Sequence, residues 1–355
     1  MRGVTRGAVG LGLMAIGAVV ALRARSTAPG GAPAQTPASK PPSSVTARRP
    51  VPPRPPLPAA RPSVSGGAVV FGAAWGSGPS ELGRSAARES SPMAPMSFVP
   101  GPAGQALVLD QVNQRVQLVE GGRVVRSIPL PSETFDDVAR LAGGRVAALD
   151  RLVARSVAVV GPSGEVEREI SLAGGEIERA GDVTSLHARA DGLWVEVDHD
   201  RLVRIADGAG APAESRSVVP GRFSADGASW LRARVDADRG VTVTSTPRAG
   251  GPPEQARVVF ALPVLSVAAL ESDATGRVLL VATTIDEAPV APYDVLRVEE
   301  TLVVLDRQLA ELRRIALPAK TTPEEQLVRY RVGPDGALYS LSLDDQGATL
   351  RRIDP

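Results

Sequence analysis

Cysteine is absent from the 355 residues. That removes disulfides, Cys-ligated zinc, iron–sulfur clusters, thiol catalysis and a lipid carried on an N-terminal cysteine. It also leaves redox chemistry silent about compartment. Aromatic residues make up only 3% of the chain, against a hydrophobic fraction of 43%. The core is therefore expected to consist of Val, Leu, Ile and Ala, and the β-branched share of these favours strands. Lysine occurs only at Lys40 and Lys320, histidine only at His187 and His199, and asparagine only at Asn113. No Gly-x-Ser-x-Gly elbow, Gly-rich phosphate loop ending in Lys, or His-Glu-x-x-His helix is present, which takes away three well-marked kinds of catalytic site.

Acidic side chains are missing from the first 66 residues, which hold nine basic ones: Arg2, Arg6, Arg23, Arg25, Lys40, Arg48, Arg49, Arg54 and Arg61. The rest of the chain holds 31 basic against 39 acidic side chains, a net of −8. The globular part is acidic, so no nucleic-acid partner is expected. Arg2 and Arg6 precede an apolar run from Gly7 to Leu22, and Arg23 and Arg25 follow it. Such a run is long for a signal-peptide core and short for a spanning helix of about 20 residues. Residues 1–25 are expected to be a signal anchor that meets the membrane through 7–22, with the basic end in the cytoplasm. The alternative is a signal peptide cut after Ala24 or Ala34. Residues 26–63, with runs such as Pro50-Val51-Pro52-Pro53-Arg54-Pro55-Pro56, predict a disordered, Pro-rich tether that cannot bury a core.

From residue 64 to 355 the pattern becomes short β-type runs between Gly, Pro and Asp turns. Asp137–Leu141, Arg145–Asp150, Ser156–Val160 and Val166–Leu172 form the clearest unit, four strands joined by hairpin-length turns. A turn-then-strand signature recurs at Gly104, Gly144, Gly192, Gly240, Gly276 and Gly336. Repeats at about 40–50 residues mark propeller blades. The expectation is an all-β fold, a six-bladed β-propeller of four-stranded antiparallel blades. Its last blade has room for only three strands (Leu327–Val332, Ala337–Leu343, Thr349–Ile353), and a strand near Ala68–Trp75 is placed to complete it. Closure of that kind removes the free sheet edges of an open array. The fourth blade, Ser229–Pro263, does not divide cleanly into strands.

The segment Val108-Leu109-Asp110-Gln111-Val112-Asn113-Gln114-Arg115-Val116 resembles the strand–turn–strand core of the NHL repeat. The resemblance implies that Asp110, Asn113 and Arg115 brace a turn. It covers about 15 residues as motif and implies architecture more than function. Ser224-Ala225-Asp226-Gly227-Ala228-Ser229-Trp230 is similar to a shortened Asp-box, the hairpin-turn device of sialidase-type propellers. Gluconolactonase-type propellers hold a cation with Glu, Asp and Asn, and a single asparagine used in a turn argues against that analogy.

Asp198-His199-Asp200, at a predicted hairpin, and Tyr293-Asp294, in an insert spanning Thr283–Arg297 taken as the longest loop, are the candidate ligand-binding residues. Two histidines and a carboxylate can hold a cation, but a polar turn beside a half-buried His187 is the plainer account, and neither a metal nor a cofactor is predicted. The acidic pairs Asp136-Asp137, Glu299-Glu300 and Asp344-Asp345 are as expected by chance among 39 acids. The function expected is a binding or scaffolding module on the exported side of a cell envelope, with an unknown protein or envelope component as partner. The alternative is an exported hydrolase or lyase with carboxylates in the propeller channel.

Overall fold

The computed structural model describes residues 63–64, 66–86, 92–236, 239–290 and 294–355. The apolar segment, nearly all of the tether and Tyr293 lie outside these residues. Among the described residues no helix is long and apolar enough to cross a membrane.

The chain is a six-bladed β-propeller. Blade 1 runs from the axis outward as Phe98–Pro100, Ala106–Asp110, Arg115–Glu120 and Arg123–Pro129. Blade 2 follows as Asp137–Arg140, Val146–Asp150, Ser156–Val160 and Val166–Ser171, within a residue of the expected strands. Blade 3 comprises Val183–Arg189, Gly192–Val197, Arg201–Ala206 and Val218–Pro220. Blade 4 comprises Arg222–Phe223, Ser229–Val235, Gly240–Pro247 and Glu254–Val259. Blade 5 comprises Val264–Ser272, Val278–Glu287, Val295–Leu305 and Glu311–Leu317. In blade 6, Tyr330–Val332, Leu338–Leu343 and Gly347–Ile353 are completed by Ala68–Ala74 as outermost strand. The tether was expected to reach residue 63, but Ser63–Val64 already pairs, in parallel, with the outer edge of blade 5.

The middle strands explain the composition. Ala106–Asp110, Val146–Asp150, Ser156–Val160 and Gly192–Val197 are buried along their whole length, because a blade has a neighbour on both faces. Alternation therefore gives way to runs of small and β-branched residues, while an outer strand such as Val166–Ser171 is mostly exposed. Apolar clusters fill the seams between blades 1 and 2, 2 and 3, 4 and 5, 5 and 6, and 6 and 1. The seam between blades 3 and 4 differs. There Glu196, 1% exposed, takes both a 2.7 Å hydrogen bond from Arg222 Nη2 and a second from its Nε, and Trp194 meets Phe223 edge-on at 5.2 Å.

Two expectations are corrected. The repeat in blade 4 turns at Gly227, not Gly240, which starts that blade's third strand. The Asp-box-like segment is this turn: Asp226 Oδ1 accepts from Ser224 Oγ (2.7 Å) and Ala228 N (3.0 Å). The insert Thr283–Arg297 is not a long loop. Its flanks continue the blade 5 hairpin, pairing Thr284 with Glu299 and Glu287 with Val295, with Ala288 N closing on Asp294 O at 2.9 Å.

Candidate functional site

All six inner strands line one cavity of about 290 Å³ in the central channel. Six turn glycines, Gly104, Gly144, Gly192, Gly227, Gly276 and Gly336, have positive φ, a conformation that side chains resist. Counting back five residues from each gives Val99, Ala139, His187, Arg222, Glu271 and Arg331. All six line the cavity. The repeat thus places one equivalent residue per blade in a ring, apolar in blades 1 and 2 and ionisable in blades 3 to 6. Arg140 and Arg189, close to the same turns, also face the cavity.

The ring is stitched across the axis. Arg331 Nη2 donates to Asp137 Oδ2 at 2.9 Å, joining blade 6 to blade 2, and the same Asp137 oxygen accepts Leu186 N of blade 3 at 2.7 Å. Asp137 Oδ1 accepts Val138 N at 2.8 Å, so this carboxylate is fully used. Arg222 Nη1 donates to Leu270 O of blade 5 at 3.0 Å. Glu271 Oε2 accepts Val332 N at 2.6 Å.

Burial sets the protonation of these groups. It holds His187 down to about 3, helped by the positive charges of Arg331 and Arg222, so the imidazole is neutral. Its Nε2 lies 2.7 Å from Ser185 Oγ. Burial pushes Glu271 up, against the pull of Arg331 and Arg222. Burial also pushes Glu196 up, but the Arg222 charge and hydrogen bonds, with His199, hold it well below the ordinary carboxylate range.

The residues singled out from sequence lie elsewhere. Asp198–Asp200 forms the blade 3 hairpin tip beside the start of the inner strand, at the opposite end from the cavity. Asp198 and His199 carry positive φ, Asp200 pairs with Arg232, and His199 Nδ1 lies 3.1 Å from Glu196 Oε2. The two histidines reach one hydrogen-bond chain through Ser185 and Glu196, but Glu196 is engaged by Arg222. Among the described residues no three His, Cys, Asp or Glu side chains gather as metal ligands. Asp294 is exposed at the blade 5 hairpin, away from the channel lining.

Asp110, Asn113 and Arg115 do brace a turn. Asp110 Oδ2 accepts from Asn113 Nδ2 (2.9 Å) and Arg115 Nε (2.7 Å), and Oδ1 from Gly83 N (2.7 Å). Arg115 Nη2 also holds the carbonyls of Gly78 and Glu81, which ties the segment from the closing strand onto blade 1. The acidic pairs diverge rather than converge: Asp136 lies 3.4 Å from Arg151 while Asp137 serves the channel, and Glu300 engages Arg329 and the Tyr330 hydroxyl.

No family model matches the chain, and no curated protein matches it. Solved structures do. A streptogramin B lyase is 11% identical, with 76% of this chain and 86% of that chain covered and a TM-score of 0.40. A member of the DUF4221 family from Bacteroides vulgatus is 10% identical over 73% of this chain and 92% of that one, at 0.46. A protein of unknown function from Bacteroides caccae is 16% identical over 63% and 81%, at 0.40. Likeness at this level carries no activity from one protein to another.

Proposed function

We propose that the protein is an exported binding module, held at a membrane by residues 7–22 and the Pro-rich tether, whose ligand seat is the central channel. One observation carries the choice of binding over catalysis. Among the ionisable groups on the cavity wall, Arg140, Arg189, Arg222 and Arg331 face a single carboxylate, Glu271. A pair of acids poised for proton transfer, which hydrolysis by carboxylates uses, is not what the wall offers. Asp137, the other inner-strand acid, is bound on both oxygens. The six-strand convergence supports a pocket, since a closed propeller presents a rigid, preformed concavity.

A second reading has one observation behind it. Glu271 is a half-buried acid whose pKa burial raises, inside a cavity, as catalytic acids are, and a lyase or hydrolase working through Glu271 alone is compatible with that. Native isolation of the full chain, followed by mass spectrometry of released small molecules and by metal analysis, separates the two. A molecule retained at 1:1 and released unchanged from both the wild type and Glu271→Gln supports binding. A molecule that accumulates only on Glu271→Gln, with the wild type yielding a product, supports the enzyme. Protease accessibility of the propeller in sealed cells tests the export.

A further inference from the structure

One cation on the cavity wall, Arg140, has no carboxylate partner among the described residues. Arg140 closes the inner strand of blade 2 and finds no hydrogen-bond acceptor among the described residues, although its Nε and Nη2 are shielded from solvent. It lies over Gly101, where a Cβ would stand 2.9 Å from Nη2. Arg331, 8% exposed, spends Nη2 on Asp137 and Leu186 but leaves a buried Nε without a partner. The Arg189 guanidinium sits 4.0 Å from the centre of the Phe223 ring, and its nearest carboxylate, Asp191, is 3.9 Å away. Arg331, Arg222 and Arg189 thus each have a carboxylate within 4 Å, Asp137, Glu196 and Asp191 respectively, and Arg140 has none among the described residues.

Shielded guanidinium nitrogens without a counter-charge are costly, and an anion entering the cavity offsets that cost with charge-assisted hydrogen bonds. Val99, Val138, Leu186, Leu270 and Val332 add apolar surface to the wall, beside His187, Glu271 and Ser272. A bare inorganic ion leaves that surface unfilled. The volume is at the small end of ligand pockets, which span about 300–1,000 Å³.

We propose that the channel takes a small organic anion, its carboxylate or phosphate head on Arg140 and Arg331 and its apolar body against Val138, Leu186 and Leu270. This rests on the channel being the ligand seat. Arg140 is the selective grip because it has no structural partner to keep, whereas Arg331 and Arg222 also hold blades together.

The test is titration calorimetry on the full chain in non-ionic detergent at constant ionic strength. The probes are succinate, benzoate, phenyl phosphate and inorganic phosphate. The proteins are wild type, Arg140→Met and, as surface control, Arg313→Met. At least one organic probe is expected to bind at 1:1 more tightly than inorganic phosphate. Its affinity should fall about tenfold or more in Arg140→Met and stay unchanged in Arg313→Met. Arg140→Met should unfold at the same temperature as wild type or higher, because it removes a half-buried cation that has no partner among the described residues, so lost binding is not lost folding. No binding of any organic probe up to about 10 mM, binding of inorganic phosphate alone, or equal affinity in Arg140→Met overturns the proposal. A neutral molecule retained at 1:1 by the natively isolated chain, with no anion competing for its place, overturns this inference while leaving the channel as ligand seat.

Discussion

Replacing Glu196 by alanine should destabilise the propeller more than a typical core truncation, through a charge rather than a cavity. Glu196 is the polar centre of the seam between blades 3 and 4, the one seam without an apolar cluster among the described residues. Its carboxylate accepts two bonds from Arg222, one from Thr184 Oγ1 at 2.7 Å and one from Ser185 Oγ at 3.3 Å. Removing it strands the Arg222 guanidinium, whose side chain is 15% exposed, on a wall that carries three other arginines. Breaking such a buried pair costs about 3–5 kcal/mol, a large part of the roughly 5–15 kcal/mol that holds a domain folded. At about 2 °C per kcal/mol for a domain of this size, the unfolding temperature should fall by roughly 6–10 °C. The assay is thermal and denaturant unfolding of wild type, Glu196→Ala, Arg222→Met and the double variant Glu196→Leu/Arg222→Met. The double variant should recover most of the loss, because it removes both desolvation costs and fills the seam with apolar volume. A single-variant loss below about 1 kcal/mol, or a double variant worse than either single, would refute the account of the seam.

Two further outcomes concern stability. Burial pushes Asp136 up to about 6 from 3.8, with Arg151 opposing. A raised folded-state pKa makes this carboxyl's contribution fully present below about pH 4 and lost as pH rises through 6, by about 3 kcal/mol. Asp136→Asn should therefore gain up to that much over wild type at pH 8 and little at pH 4, read from denaturant midpoints at the two pH values. Asp110→Ala leaves Gly83 N, Asn113 and Arg115 without their shared, fully buried acceptor. It should cost about 2–4 kcal/mol and raise proteolysis first between residues 76 and 86, and an unchanged cleavage pattern would remove that segment's dependence on the Asp110 turn.

The blades were legible where the turn chemistry was regular. Gly104, Gly144, Gly192, Gly276 and Gly336 all stand at the turn between a first and a second strand, and the apolar runs after them gave the second strands of blades 1, 2, 3 and 6 to within a residue, while that of blade 5 runs on to Glu287. Blade 4 was opaque because its inner strand is only Arg222–Phe223, too short to show alternation. Its true turn glycine, Gly227, had been absorbed in the Asp-box likeness. The blade 5 hairpin reads as a loop in the sequence because Pro289 and Pro292 mark a break, although the pairing of Thr283–Glu287 with Val295–Glu300 continues the strands on either side.

The candidate site was nearly invisible for a different reason. Arginine supplies all but two of the 40 basic side chains, so an arginine in any one strand stands out against nothing. Arg222, Glu271 and Arg331 acquire meaning only once the repeats are aligned on the turn glycine, because that register aims the same position in every blade at the axis. Asp198, His199 and Asp200 stood out by composition instead, and the fold uses them at a hairpin tip. Asp110, Asn113 and Arg115 were legible as a turn device because Asp110 binds the other two within five residues, whereas their further bonds to residues 76–83 were not.

The most direct test of the channel as an anion seat is a crystal structure of the full chain grown with the tightest-binding organic anion from the calorimetry. The account predicts density for the head group within about 3 Å of Arg140 and Arg331 nitrogens, with the body lying along Leu186 and Leu270 and the blades unmoved. Density for the anion on an outer face of the propeller, with the channel holding only water and Arg140 still without an acceptor, would contradict it.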